Sequence, residues 1–310
     1  MKKEVIYELR AAYRDDMRIQ AYRFGSGEKT CAVVGGIRGN EIQQIFTCSQ
    51  LVARLRQLEE QGMLAADKSV MVVPCINPYS VNVERRFWPT DNTDINRMFP
   101  GYNLGETTQR IAAGVFEALM GYRFGVHITS NYIPGSLITH ARIMNTGWDY
   151  VDEAKKFGFE YVSLREPRPY DTTTLNYNWQ IWETKTVSVL LGESDVINKA
   201  TSEEAVLAIL RFLKAQGVIL PDYVIEPVRE SKVIQEKDLI AVKAAAAGLF
   251  DPVVSVRQLV AKGQLLARIL DAGDGSVRQE VRAPVDGKVY FLQISPRAYA
   301  NAAVAKLVRE

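Results

Sequence analysis

Thr30-Cys-Ala-Val-Val34-Gly-Gly-Ile-Arg38-Gly-Asn-Glu41 is the stretch whose reading decides the fold. Thr30 to Val34 is short, apolar and rich in β-branched residues, as a buried strand is. The two glycines that follow permit a tight turn. From Glu41 onward Ile42, Ile45, Phe46, Val52 and Leu55 recur mostly at three- and four-residue steps, which predicts a helix beginning there. Strand, glycine-rich turn and helix form the opening unit of an α/β sheet, and loops at the carboxyl ends of such strands are where ligands collect. Arg38 and Glu41 both fall in that loop.

Working outward, Ser69 to Pro74 reads as a second strand, Thr107 to Met120 as a helix and Phe124 to His127 as a strand end. Val187 to Leu191 reads as a further strand and Ser202 to Gln216 as a helix. Strands alternating with helices predict an α/β domain over residues 1–220. After Leu220-Pro-Asp the pattern changes to short strand-like runs broken by Gly, Pro and Asp, so residues 221–310 read as a separate all-β module. That module repeats itself. Gly248 and Gly287 stand 39 residues apart in similar surroundings, and Gly263 and Asn301 stand 38 apart. Gly and Asn both tolerate positive φ at a turn, so two interlocked β halves are expected.

Composition narrows the function classes. The chain has 310 residues, 47% of them hydrophobic, with 38 basic against 36 acidic side chains. That balance leaves no electrostatic footprint for nucleic acid or anionic lipid, and a small partner fits better. No window reaches the apolar length of a membrane span and the N-terminus lacks an apolar targeting core, so a cytoplasmic protein is expected. Self-association is left open. Cys31, Cys48 and Cys75 lack metal or redox spacing and read as buried free thiols.

Three distant segments carry chemistry: Arg38-Gly-Asn-Glu41; Asn77-Pro78 continuing through Arg86-Phe-Trp-Pro-Thr-Asp91-Asn-Thr-Asp94-Ile-Asn96-Arg97-Met-Phe-Pro-Gly101; and Gly125-Val-His127. In these motifs the chain resembles the succinylglutamate desuccinylase and aspartoacylase family, relatives of the zinc carboxypeptidases. The resemblance implies a mixed central sheet with helices on both faces, plus a C-terminal β barrel of the biotinyl or lipoyl type. It implies zinc, with Glu41 and His127 as ligands. Asn96 and Arg97 would bind a substrate carboxylate, Arg86 would polarise the scissile carbonyl, and Glu193 would act as general base. The implied reaction is hydrolysis of an amide or ester bond in a small carboxylate-bearing compound such as an N-acyl amino acid.

Two departures from the family pattern stand out. Arg38 occupies the place of the first metal-binding histidine, and Gly125 that of an aspartate beside the third ligand. A guanidinium offers no lone pair and does not deprotonate in proteins. Catalytic zinc of this kind takes three protein ligands, and Glu41 with His127 supply two. His140, the sole other histidine, has no role in the family pattern. Arg38 could instead pair with Glu41 and stand in for the metal's charge, leaving a non-catalytic carboxylate-binding protein. Glu41 also reads as an ordinary acid in a first helical turn, and His127 as a buried, hydrogen-bonded histidine. The segment from Arg165 to Trp182, rich in hydroxyls, amides and aromatics, reads either as a lid with Arg168 and Tyr170 touching substrate or as a hairpin with aromatic cross-strand pairs. No Lys lies between two Met at the Gly287 turn, so the β module is expected to serve packing or lid duty and not a carrier role.

Overall fold

The computed structural model describes residues 1–147, 150–226 and 230–309. The chain forms two units: Met1–Ser130, Thr139–Leu190 and Ser194–Val233 make the first; Asn131–Ile138, Leu191–Glu193 and Ile234–Glu310 make the second. The second unit therefore begins at residue 234 and draws in two short pieces of the preceding chain. The sequence had pointed to one break near residue 220.

In chain order the first part contains β1 (Lys2–Leu9), β2 (Met17–Phe24), β3 (Glu28–Val34), α1 (Ile42–Glu60), β4 (Lys68–Val73), α2 (Pro78–Asn82), α3 (Thr107–Leu119), β5 (Phe124–Ser130), β6 (Gly135–Leu137) and β7 (His140–Met144). It continues through α4 (Val151–Lys155), β8 (Tyr161–Arg165), α5 (Leu175–Ile181), β9 (Lys185–Leu191), α6 (Lys199–Ala215) and β10 (Lys232–Gln235). Nine strands form one sheet in the order β1-β2-β4-β3-β5-β9-β7-β8-β10. β3 runs parallel to both β4 and β5, while β2 and β4, and β7 and β9, are antiparallel, so the sheet is mixed.

Alternation along the strands sends side chains to opposite faces. Ala32, Val34, Met71 and Val73 join Ile111, Val115 and Leu119 of α3 and Leu175 and Trp179 of α5 in one buried cluster. Cys31, Val33, Val70 and Val72, on the alternate positions, are equally buried. On that opposite face α1 packs over β2, β4 and β5 and against α6. Helices thus cover both faces. The α1/α6 contact includes a polar seam in which the Gln43 amide donates to the Asn198 carbonyl at 2.9 Å and to Ser202 Oγ at 3.0 Å, and accepts from Asn198 N at 2.7 Å.

Strands and helices fall close to the expected ranges. One segment differs: Arg165 to Trp182 is neither an open loop nor a hairpin, for it turns through a 3-10 segment at Pro169–Asp171 and then enters α5. Thr174 caps that helix by accepting from Tyr177 N, and Leu175 and Trp179, four residues apart, bury one face.

The second unit holds β11 (Leu239–Lys243), β12 (Gly248–Pro252), β13 (Leu259–Val260), β14 (Leu265–Leu270), β15 (Val277–Arg282), β16 (Gly287–Gln293), β17 (Arg297–Ala298) and β18 (Ala303–Val308). The first four recur as the last four at the internal offset visible in the sequence. Gly263 and Asn301, the matched turn residues, both adopt positive φ, 83° and 65°. Each sheet draws strands from both halves: β11-β18-β16-β13 in one and β15-β14-β12-β17 in the other. β6 adds to the first sheet, with Leu137 opposite Phe291 and Gly135 opposite Gln293.

Candidate functional site at the strand ends

The loop after β3 is held by close backbone packing. A Cβ on Gly39 would lie 2.2 Å from the Arg85 carbonyl oxygen, so only glycine allows Gly39 N to donate to the Arg86 carbonyl at 3.0 Å. The loop delivers Arg38 inward, where it is 6% exposed. Its Nη1 donates to Glu41 Oε1 at 3.4 Å, while Nε and Nη2 donate to Asp94 Oδ2 at 3.1 and 2.8 Å. Glu41, the residue before α1, is fully buried. Its carboxylate also accepts from Arg38 N and from Ser130 Oγ, both at 3.1 Å. Burial opposes the Arg38 charge, yet Glu41 and Asp94 outweigh it and hold the guanidinium pKa above its ordinary value.

The ion pairs continue outward. Asp94 Oδ2 lies 4.0 Å from Arg97 Nε, and Arg97 Nη1 lies 3.7 Å from Asp171 Oδ1, which in turn pairs with Arg165. Charges of alternating sign therefore run from Arg165 to Glu41 through three arginines and three carboxylates. Arg97 also donates to the Tyr170 carbonyl at 2.5 Å and lies over its ring.

His127, on β5 beside Val34 of β3, is the second centre. Its Nδ1 lies 2.6 Å from Asn176 Oδ1 of α5, and the Asn176 amide nitrogen donates to Ser188 of β9. Its Nε2 is buried and has no hydrogen-bond partner among the described residues. Burial is the main reason its pKa falls to about 4; nearby Arg38 and Arg142 add to that, whereas Glu41 and the Asn176 bond oppose it. His127 is accordingly neutral at pH 7. A side chain at Gly125 would meet the Trp179 ring at 2.6 Å, so the indole fills the space beside this strand where the family pattern has an aspartate.

Other buried polar atoms without a partner among the described residues lie in the segments that follow two neighbouring strands: Asn40 Oδ1 in the loop after β3, both side-chain polar atoms of Gln44 in the first turn of α1, and Asn77 Nδ2 in the loop after β4. Buried polar groups without partners are uncommon.

The remaining expected residues are placed as follows. Asn96 accepts from Leu175 N at 3.2 Å and so ties its 3-10 turn to α5. Arg86 is half-buried with its guanidinium over the Phe87 ring. Arg168 and Tyr170 are exposed and bonded to one another, Nη1 to Oη, at 3.0 Å. Glu193 belongs to the other unit, where it accepts from Ser136 Oγ at 2.5 Å. His140 is buried on β7 opposite Leu190. Sequence reasoning missed Ser130, Arg142, Asn176 and Ser188. Asp94 had been read only as a partner for loop arginines. Ser130 is the last residue of β5, three positions after His127, and a polar residue so placed is the one signal available for it; the others carry none.

These residues do not fit a catalytic zinc. Among the described residues no group of three or more His, Cys, Asp or Glu side chains is placed to hold a metal ion. Glu41 already accepts from Arg38 and Ser130, and Arg38 places a fixed cation on it.

Residues 27–215 match the model of the succinylglutamate desuccinylase/aspartoacylase catalytic domain. The chain belongs to this family. Its members' activity is hydrolytic deacylation, and the α/β architecture is theirs. A succinylglutamate desuccinylase/aspartoacylase from Rhodobacter sphaeroides superposes with a TM-score of 0.79 at 19% identity, covering 99% of this chain and 95% of that one. The product-bound ectoine utilization protein EutE (DoeB) from Ruegeria pomeroyi gives 0.77 at 19% identity, covering 95% and 90%. In sequence, 83 residues are 35% identical to N-alpha-acetyl-L-2,4-diaminobutyric acid deacetylase of Halomonas elongata. That match spans 27% of this chain and 22% of the relative's length.

Proposed function

We propose that this family member binds a small carboxylate-bearing acyl compound, of the N-acyl amino acid type, at the carboxyl ends of β3, β4 and β5, with Arg38 as a built-in cation where relatives hold zinc. One observation carries the reading: a buried guanidinium bridges Glu41 and Asp94 beside a neutral His127. Arg86, Asn96, Arg97, Arg168 and Tyr170 are the proposed contacts to the rest of the ligand. The guanidinium neutralises Glu41 and Asp94 and, unlike zinc, does not acidify a water. The second reading, the one the family implies, is hydrolysis of the ligand's amide or ester bond, for which Glu41 and His127 would have to hold a metal and Arg38 would have to release Glu41. The open lone pair on His127 Nε2 favours it.

Calorimetry with a panel of N-acyl amino acids separates the two. The proposal expects binding that excess chelator leaves unchanged and that Arg97→Ala weakens at least ~10-fold, as loss of a charged hydrogen bond does. Stoichiometric divalent metal in the purified protein, with product released from the panel, would establish hydrolysis instead. Arg38→His, which adds an imidazole three residues before Glu41, is expected to raise zinc affinity. We also propose that the two C-terminal sheets close into a barrel of the biotinyl or lipoyl type that packs without carrying a modified lysine. We also place the protein in the cytoplasm, a reading that the three free cysteines support.

A further inference from the structure

We infer that Asn176, backed by Ser188, is a positioning residue that fixes His127 in its Nδ1–H tautomer, which makes Nε2 a dedicated acceptor for a hydrogen-bond donor on the ligand. A neutral imidazole has one N–H and one lone pair, and its partners decide which nitrogen carries which. Asn176 presents an amide whose two ends differ in the same way. In the structure its nitrogen faces the Ser188 hydroxyl, which accepts, and its oxygen faces His127 Nδ1 at 2.6 Å. An oxygen there accepts, so Nδ1 must carry the proton. The lone pair is left on Nε2, which is buried and has no donor among the described residues.

All three residues are buried, at 2% exposure for His127, 6% for Asn176 and 4% for Ser188, so bulk water does not compete for the arrangement. Asn176 sits on α5 and Ser188 on β9, and neither needs this pairing to close its own element. A site built around a fixed acceptor selects for N–H or O–H and against an isostere that lacks it, because the analogue leaves the buried lone pair unmet. The ligand half of this inference rests on the binding reading proposed above; the tautomer half does not.

The chain has only two histidines, so nitrogen-15 labelling of histidine resolves His127 directly. The wild-type spectrum is expected to show a protonated Nδ1 and a bare Nε2 for this ring. Asn176→Asp keeps an acceptor and should preserve that signature, whereas Asn176→Leu should shift the ring toward the Nε2–H form. A wild-type ring protonated at Nε2, or an Asn176→Leu ring unchanged from wild type, overturns the positioning role. If Asn176→Leu fails to fold, the wild-type and Asn176→Asp spectra decide the matter.

For the ligand half, N-acetylglycine and its ester isostere acetoxyacetate differ at one position, N–H against O. Calorimetry is expected to show the amide bound at least ~10-fold more tightly. Equal affinity overturns the donor requirement. If neither compound binds while the spectra show Nδ1–H, the binding reading fails and the positioning role stands.

Discussion

Asp94 divides its two oxygens between structure and charge. Oδ1 accepts from Asn96 N at 3.0 Å and caps the 3-10 turn, while Oδ2 receives Arg38. Arg38 and Glu41 were legible because both lie in the short loop between β3 and α1, and His127 because its motif resembled the family's, although it lies inside β5 and not at its end. Their outer partners were not, because nothing local ties Asn176 or Ser188 to His127. At this scale pH is the test. His127 has a folded pKa near 4 against an ordinary value of 6.5, so between those values the unfolded chain binds more protons. Its contribution is complete above pH 6.5 and is lost as pH falls toward 4, up to about 3 kcal/mol. Denaturant unfolding at stepped pH should show this loss for the wild type and a flatter profile for His127→Leu. Equal slopes for the two proteins would count against a buried neutral histidine.

At the scale of the element, α5 is the instructive case. Thr-Thr-Thr-Leu-Asn-Tyr-Asn-Trp has the composition of a strand, with β-branched and aromatic residues enriched. It folds as a helix because Thr174 caps it and because Leu175 and Trp179 share the face turned to β5 and the core. Local propensity is a weak prior that packing overrides. The same helix sets what Gly125 can be. Gly125→Ala should destabilise the protein by about 1–3 kcal/mol, since a Cβ meets backed, immobile ring atoms. Trp179→Leu alone should also cost stability, but the double variant should lose less than the two costs combined. Thermal or urea unfolding of the four proteins measures that coupling, and strict additivity would argue against the contact.

Over the whole molecule, the clearest departure from a linear reading is the chain's return from one unit to the other. Residues 131–138 leave the α/β body to supply β6, which extends the edge of β16. The internal repeat predicts β12 and β16 as equivalents, yet only β16 gains this extra strand, so β6 is where the repeat's symmetry ends. Gly135 permits it, for a Cβ there would lie 2.3 Å from the Phe291 ring. Gly135→Val should therefore strip β6 from the sheet, and hydrogen exchange should show lost protection at Phe291 to Gln293 while the β3–β5 core stays protected. Unchanged protection along β16 would show that β6 contributes nothing to that sheet.

By itself the sequence determined the alternation of strands and helices, the turn that carries Arg38 toward Glu41, and the two-fold repeat of the C-terminal strands. Each is a local periodicity or a short spacing that reports burial directly. Only the tertiary structure decided that Asp94 would share Arg38, that Asn176 would face His127, and that residues 135–137 would pair with β16. Those contacts join positions up to 158 residues apart, from Gly135 to Gln293 at the far end, and depend on which buried surfaces meet. No periodicity encodes that choice.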